Sequence, residues 1–319
     1  MKKRAVIIKY GFLGDSIVCI PFLSVLKRTH TVDLITISWL PPGHSLDSKF
    51  IFKSLDLVDN VISLKKEPFY LLKLILGNYK KYHDCFNLLP SLGLISNLFY
   101  SFIGRSFARN YFHRNQDCTL PEVMDILSLA SDSSSYKVSM EMFLHKICAR
   151  SLLRIRDRNS RITPIVIGVQ PFSKMSSKQF DLNSFNYILT KIHSQYSVRY
   201  VFLGTKFEYL NWDFKLVEFL ENNTLEDLFK VISDIDIYFG VDTGAMHIAD
   251  IFGKKVIALF SDRTRDRNWY PSVSSKVYIH RSFVPCGGCN LVACDRDNEC
   301  LKLIDTEEVI KSIEYFCND

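Results

Sequence analysis

The chain has 319 residues, enough for two domains of about 150 residues each or one large one. It is 47% hydrophobic and 23% charged, which excludes a disordered chain, a collagen-like repeat and a disulfide-stapled miniprotein. The net charge of +6 is uneven: residues 1–160 carry 22 Lys/Arg against 13 Asp/Glu, and residues 161–319 carry 18 against 21, so the halves differ in sign at +9 and −3.

The opening MKKRAVIIKYGFLGD is basic, as a secretory signal would be. Its apolar core spans only Ala5 to Ile8 before Lys9 interrupts it, too short for such a signal. It reads as the first strand of a cytosolic α/β protein, ending in Gly11-Phe12-Leu13-Gly14-Asp15. A helical pattern follows from Ser16 to about Arg28, and Pro21 predicts an irregular first turn. Strands are expected at Val32–Ile37 and Asp59–Leu64. The stretch from Pro68 to Tyr82 is aromatic, leucine-rich and basic. Cys85 to Gly104 is uncharged for 20 residues, but Pro90, Gly93, Asn87, Asn97 and three serines favour strand, loop and helix over a membrane span. The strand is expected at Cys85–Leu89 and the helix at Leu94–Ile103, with another helix from Pro121 to Ala130.

Polar residues at 132–135 and dense charge at 150–161 mark a linker, dividing the chain into domains 1–158 and 159–319. The pattern then restarts. Strands are predicted at Ile165–Val169, Val198–Leu203, Ile235–Phe239 and Lys255–Phe260. Helices are predicted at Ser184–Tyr196, Thr224–Ile232, Gly244–Phe252 and Thr306–Phe316. Alternating strands and helices in both halves imply parallel sheets in βαβ units. Two such sheets facing across a cleft would bind a ligand between them.

Four segments could carry chemistry. In GFLGD, Gly11 and Gly14 allow a sharp turn that brings backbone amides near a ligand, and Asp15 could accept a proton from a substrate hydroxyl or simply cap the helix. This is not a GxGxxG fingerprint, so a nicotinamide site is disfavoured. In Gly240-Val241-Asp242-Thr243-Gly244-Ala245-Met246-His247, a strand-to-helix turn offers free N–H groups to a phosphate, with Thr243 as a hydroxyl donor and His247 one turn in. The alternative has Asp242 capping the helix and His247 packed nearby. Ser173 and Lys178, after the strand at Ile165–Val169, could grip a diphosphate, and Glu208 could hold ribose hydroxyls; an exposed lysine and glutamate are the plainer readings. Asp234-Ile235-Asp236 resembles a metal-binding DxD, but it enters a strand at the end opposite the expected ligand face. Finally, the odd count of nine cysteines favours a reducing compartment. Cys286, Cys289, Cys294 and Cys300 could close a structural zinc or iron site, with unligated thiols as the alternative.

Together these motifs resemble glycosyltransferase family 9, the heptosyltransferase family of the lipopolysaccharide core. The strongest part is VISDIDIYFGVDTGAMHIADIFGKKVIALFSD, residues 231–262. VIIKYGFLGDSIVCIPFLSVLK, VQPFSKMSSKQFDLNSF and the CGGC segment add to it. The resemblance implies a GT-B-like α/β fold of two Rossmann-like domains, the first binding acceptor and the second a nucleotide-sugar donor. It implies an inverting enzyme that moves a heptose, as ADP-heptose, to a lipopolysaccharide core or other anionic surface glycan or glycolipid. No cofactor would be required for catalysis and no nucleic acid is expected as partner. By position, Asp15 resembles the general base, Ser173 and Lys178 the diphosphate grip, Glu208 the nucleoside-binding glutamate, and Asp242, Thr243, Gly244 and His247 the donor motif. The chain departs from the family pattern at Phe172, at Gln179-Phe180-Asp181 and at Ser261-Asp262-Arg263. A nucleotide-sugar epimerase on the same fold and a non-catalytic nucleotide-sugar binder are the competing readings. The basic first half suggests a cytoplasmic protein touching the inner membrane leaflet peripherally.

Overall fold

The computed structural model describes residues 2–8, 16, 19–37, 49, 51–53, 56–64, 76–78, 81–87, 109–110, 164–212, 214–220, 224–264, 269–271, 274 and 276–319. The chain divides into two compact units, Met1–Phe143 and Leu144–Asp319. The expected boundary at 158/159, the predicted helices at 94–103 and 121–130, and the Gly11–Asp15 turn lie outside the described residues.

The first unit contains a five-stranded parallel sheet. Its strands are β1 (Lys3–Ile8), β2 (His30–Ile37), β3 (Asn60–Leu64), β4 (Asp84–Asn87) and β5 (Arg109–Asn110), in the order β3-β2-β1-β4-β5. Helix α1 (Ile20–Thr29) connects β1 to β2. Pro21 lies in its first turn, where a missing N–H costs nothing; upstream, Ser16 is helical and Cys19 is a turn residue. The core takes Ala5, Val6 and Ile7 from β1, with Val32, Leu34 and Ile35 from β2. A buried carboxylate, Asp33, sits among them. It accepts from the Tyr82 hydroxyl at 2.7 Å and from Asn60 Nδ2 at 2.8 Å, which satisfies both oxygens. Burial and that bond to Asp33 push the Tyr82 phenol far above its ordinary value, so it stays a donor.

The second unit is a six-stranded parallel sheet. Its elements in chain order are β6 (Ile165–Gln170), α2 (Leu182–Gln195), β7 (Val198–Phe202), α3 (Lys206–Leu210), β8 (Val217–Phe219), α4 (Leu225–Asp234), β9 (Ile237–Val241), α5 (Gly244–Ile251), β10 (Lys255–Leu259), β11 (Val277–His280), α6 (Glu299–Lys302) and α7 (Thr306–Asn318). The strand order is β11-β10-β9-β6-β7-β8. The hydrophobic runs form buried strands, and Phe185 of α2 stacks on Phe239 of β9 with ring centroids 4.4 Å apart. Asp181 caps α2 through Ser184 N at 2.8 Å, and Asp305 caps α7 through Glu307 N at 2.9 Å. Helix α2 begins two residues before the Ser184 that periodicity marks, whereas α7 begins at Thr306 as expected. Asp236 accepts from Val166 N at 2.9 Å, so it serves the amino end of the sheet.

In both sheets the first strand of the unit is flanked by strands that run outward in opposite directions. That creates a switch point at the carboxyl ends, between β1 and β4 in one sheet and between β6 and β9 in the other. β9 can approach β6 closely because residue 240 has no side chain: a Cβ there would clash with the backbone carbonyl oxygen of Gln170. Gly240→Ala is therefore expected to lower unfolding free energy by about 2 kcal/mol or more. Denaturant titration checks this; an unchanged midpoint would mean that the two strands have room to separate.

Candidate active site

The second unit's switch point assembles most of the donor-side residues singled out above. Beyond the carboxyl end of β6 the chain passes Pro171, Phe172 and Ser173 and forms one 3-10 turn, Ser176–Lys178. Beyond β9 it passes Asp242 and Thr243 and enters α5. Because β6 and β9 pair in parallel, these two loops meet. Lys178 Nζ lies 2.5 Å from Asp242 Oδ2, with side chains 18% and 10% exposed. His247 Nε2 lies 3.7 Å from Asp242 Oδ1, and the ring stands edge-on to Trp269 at 6.1 Å. Asp242 thus faces a lysine rather than capping α5. The helix begins at Thr243 with no side-chain cap, leaving its first amides uncapped by a side chain. The Thr243 hydroxyl lies 3.3 Å from the Tyr238 hydroxyl, which donates to Val241 O at 2.7 Å. Burial raises the Tyr238 phenol well above its ordinary value, so that donor persists across the working pH range.

The remaining predicted residues play more local parts. Ser173 Oγ accepts from Met175 N at 3.3 Å, and its carbonyl accepts from Gln179 Nε2 at 2.8 Å. Glu208 closes a capping box on α3: its Oε2 accepts from Thr205 N at 2.8 Å while Thr205 Oγ1 accepts from Glu208 N. The T-x-x-E spacing signals this helix start, which the periodicity alone missed. Gln170 contributes a feature with no motif behind it, a buried Oε1 with no hydrogen-bond partner near Gly204. Asp15, Gly11 and Gly14 lie outside the described residues, just past the carboxyl end of β1.

The four C-terminal cysteines line one small cavity together with Asp262, Arg263, Arg296 and Glu299, and all are free thiols. As placed here, the thiols are not gathered into a metal-ligating cluster. Among the described residues no group of three or more His, Cys, Asp or Glu side chains could hold a metal ion. Two of the sulfurs accept backbone hydrogen bonds, Cys300 from Asp262 N at 3.3 Å and Cys294 from Arg296 N at 3.4 Å. Burial pushes the Cys300 thiol above its ordinary value.

What shapes this loop is an ion pair. Asp262, past the end of β10, is 2% exposed and accepts from Arg281 Nη2 at 2.6 Å and Nε at 3.0 Å; the arginine side chain is 4% exposed. Asp262 also accepts from Val284 N at 3.1 Å, and a Cβ at residue 287 would clash with its carboxylate. Arg281 further donates to Tyr270 Oη at 3.1 Å and to the Thr264 carbonyl. The first glycine in CGGC, Gly287, is thus explained by Asp262. Removing one charge from so buried a pair leaves the other uncompensated. Asp262→Asn is expected to lower unfolding free energy by about 3 kcal/mol, read by denaturant titration, and an effect below about 1 kcal/mol would place the pair in contact with water.

Parallel sheets with a switch point at their carboxyl ends define Rossmann-like units, and comparison with known proteins places the chain further. The family model described as glycosyltransferase family 9 (heptosyltransferase) matches residues 104–290, more than half of the chain. The chain belongs to this family and is a glycosyltransferase of GT-B-like fold. It is similar to a family 9 glycosyl transferase from Veillonella parvula, with 14% identity, a TM-score of 0.66, and 100% of this chain and 98% of that one covered. It is similar to the ADP-heptose LPS heptosyltransferase II of E. coli, with 14% identity, a TM-score of 0.62, and coverage of 99% and 98%. It is also similar to E. coli heptosyltransferase WaaC with ADP-2-deoxy-2-fluoro heptose, with 12% identity, a TM-score of 0.59, and coverage of 98% and 99%. At these identities the likeness is one of fold. No curated protein sequence matches the chain.

Proposed function

We propose that this chain is an inverting glycosyltransferase that moves a heptose from ADP-heptose to a lipopolysaccharide core or another anionic surface glycan. Residues 1–158 would bind the acceptor and 159–319 the donor. The observation that carries the reading is the contact of Lys178 with Asp242, which joins two motifs 64 residues apart at the switch point of the second sheet. Family membership supplies the reaction class, and WaaC of E. coli, similar in fold, has been seen with ADP.

In this reading Asp15 takes the proton from the acceptor hydroxyl as its oxygen attacks the anomeric carbon. The bond from that carbon to the diphosphate oxygen breaks on the opposite face, inverting the configuration. The departing diphosphate carries the developing charge, and Lys178 with the amino end of α5 at Thr243 and Gly244 stabilises it electrostatically. Ser173 adds a hydroxyl donor. Asp242 keeps Lys178 aimed at this position before the donor arrives, and with His247 lies where the donor sugar would sit. Glu208 holds the ribose. No step requires a metal ion or cofactor. The +9 charge of residues 1–160 suits peripheral contact with anionic lipid at the cytoplasmic face of the inner membrane. Among the described residues no helix is long and apolar enough to cross a membrane.

Asp15→Asn is expected to lower turnover by on the order of 10²–10⁴ with donor affinity unchanged, because a general base acts on the chemical step. Lys178→Ala is expected to weaken donor binding instead. Steady-state kinetics with ADP-heptose, together with calorimetry, separates the two effects. Full turnover by Asp15→Asn removes that residue from the mechanism. Epimer or free sugar formed without acceptor, read by mass spectrometry, would point to an epimerase, and donor binding with no turnover on any acceptor would point to a binding protein.

A further inference from the structure

Lys178 sits on a single 3-10 turn, and three residues of such a helix have little rigidity of their own. Something else must fix the lysine, and the structure shows a second segment wrapped against the turn. Ser177 N donates to Val292 O at 3.2 Å, and Ser177 Oγ donates to Leu291 O at 2.8 Å. Asn298 Nδ2 donates to Ser176 O at 2.8 Å and to Gln179 O at 3.2 Å. Those two carbonyls flank Lys178 in sequence. The segment is anchored on its far side by Arg263, whose Nε donates to Leu291 O at 2.9 Å and whose Nη2 donates to Asn290 O at 3.0 Å.

Asn298 is unusual in two ways. It occupies the N-cap of α6 in the left-handed region, φ 54° and ψ 39°, yet its side chain makes no capping bond. Its Oδ1 is buried with no partner. Both follow from where the amide group points. Two carbonyl oxygens need two N–H donors, and the NH2 of one asparagine side chain supplies both; the reverse orientation would set oxygen against oxygen. The side chain forgoes the cap of its own helix and reaches across more than a hundred residues of sequence to hold the turn.

Resting on the reading of Lys178 as the diphosphate grip, we propose that Asn298 is a positioning residue for that lysine, bracing its turn so that the ammonium group meets the donor diphosphate. It acts through Lys178 and does not touch substrate. The test uses Asn298→Gly, since glycine keeps the left-handed backbone without strain and removes only the amide. Asn298→Asp, nearly the same size but with no N–H to donate, is the second variant should the first lose stability.

Binding of ADP and of adenosine to the full chain is measured by calorimetry. The expected result is that either variant weakens ADP about tenfold, the scale of losing a pair of hydrogen bonds, and leaves adenosine unchanged because it has no phosphate. In a Lys178→Ala background the same substitution should have no further effect on ADP, since the group being positioned is gone. Equal losses for ADP and adenosine would show a general structural role and overturn the proposal, as would an undiminished loss in the Lys178→Ala background. ADP affinity left intact by Asn298→Gly while Lys178→Ala weakens it would sink the brace alone. Unchanged ADP binding by Lys178→Ala would sink the grip itself.

Discussion

Strand β9 lies beside β6 although α2, β7, α3, β8 and α4 separate them in the chain, and the ligand-facing chemistry of the second unit depends on that adjacency. It sets the carboxyl ends of the two strands side by side, so that the loop after one meets the loop after the other. The backbones can come this close because residue 240 carries no Cβ. Once they do, a lysine and an aspartate from loops 64 residues apart come into contact. The pair is partly sheltered, with both side chains under a fifth exposed. Sheltering strengthens the attraction relative to water but removes hydration from both groups. An incoming dianionic diphosphate would therefore find a cation already localised at the amino end of α5, rather than a mobile side chain that must be ordered on binding. In the proposed function, less entropy would then be lost when the donor is gripped.

Much of this arrangement was legible along the chain, and what was not has a physical cause. Among the described residues, the long buried strands and amphipathic helices appear where periodicity puts them, within a few residues. The short edge strands β8, three residues long, and β11, four residues long, were not visible, because runs so short carry no period. The start of α2 was misplaced because Asp181 caps from outside the periodic stretch, whereas α7 starts at Thr306 where the acidic first turn put it. Each donor motif could be recognised by itself at the end of a strand. Their meeting could not, since strand order is set by tertiary packing. The cysteine spacing suggested metal ligation, yet spacing says nothing of where the thiols point. In the fold, Asp262 draws the surrounding backbone toward itself, and Cys300 and Cys294 accept hydrogen bonds from amides instead.

All three departures from the family pattern act on the same small turn. Where a glycine usually follows the proline, Phe172 is half-buried with its ring edge-on to Phe202 and Trp212, each at 5.9 Å. At the other end of the segment Phe180 is buried and packs against Phe185 at 6.3 Å. The stretch from Ser173 to Gln179 is thus strung between two aromatic anchors, a stiffer suspension than a glycine turn provides. The third departure, Ser261-Asp262-Arg263, lies far off in sequence. Asp262 folds the CGGC loop around its carboxylate, and Arg263 holds the carbonyls of Asn290 and Leu291. That loop in turn bonds Ser176, Ser177 and Gln179. The substitutions therefore do not erode the lysine's surroundings. They replace a permissive backbone by side-chain packing and buried charge, and both routes converge on where one ammonium group is held.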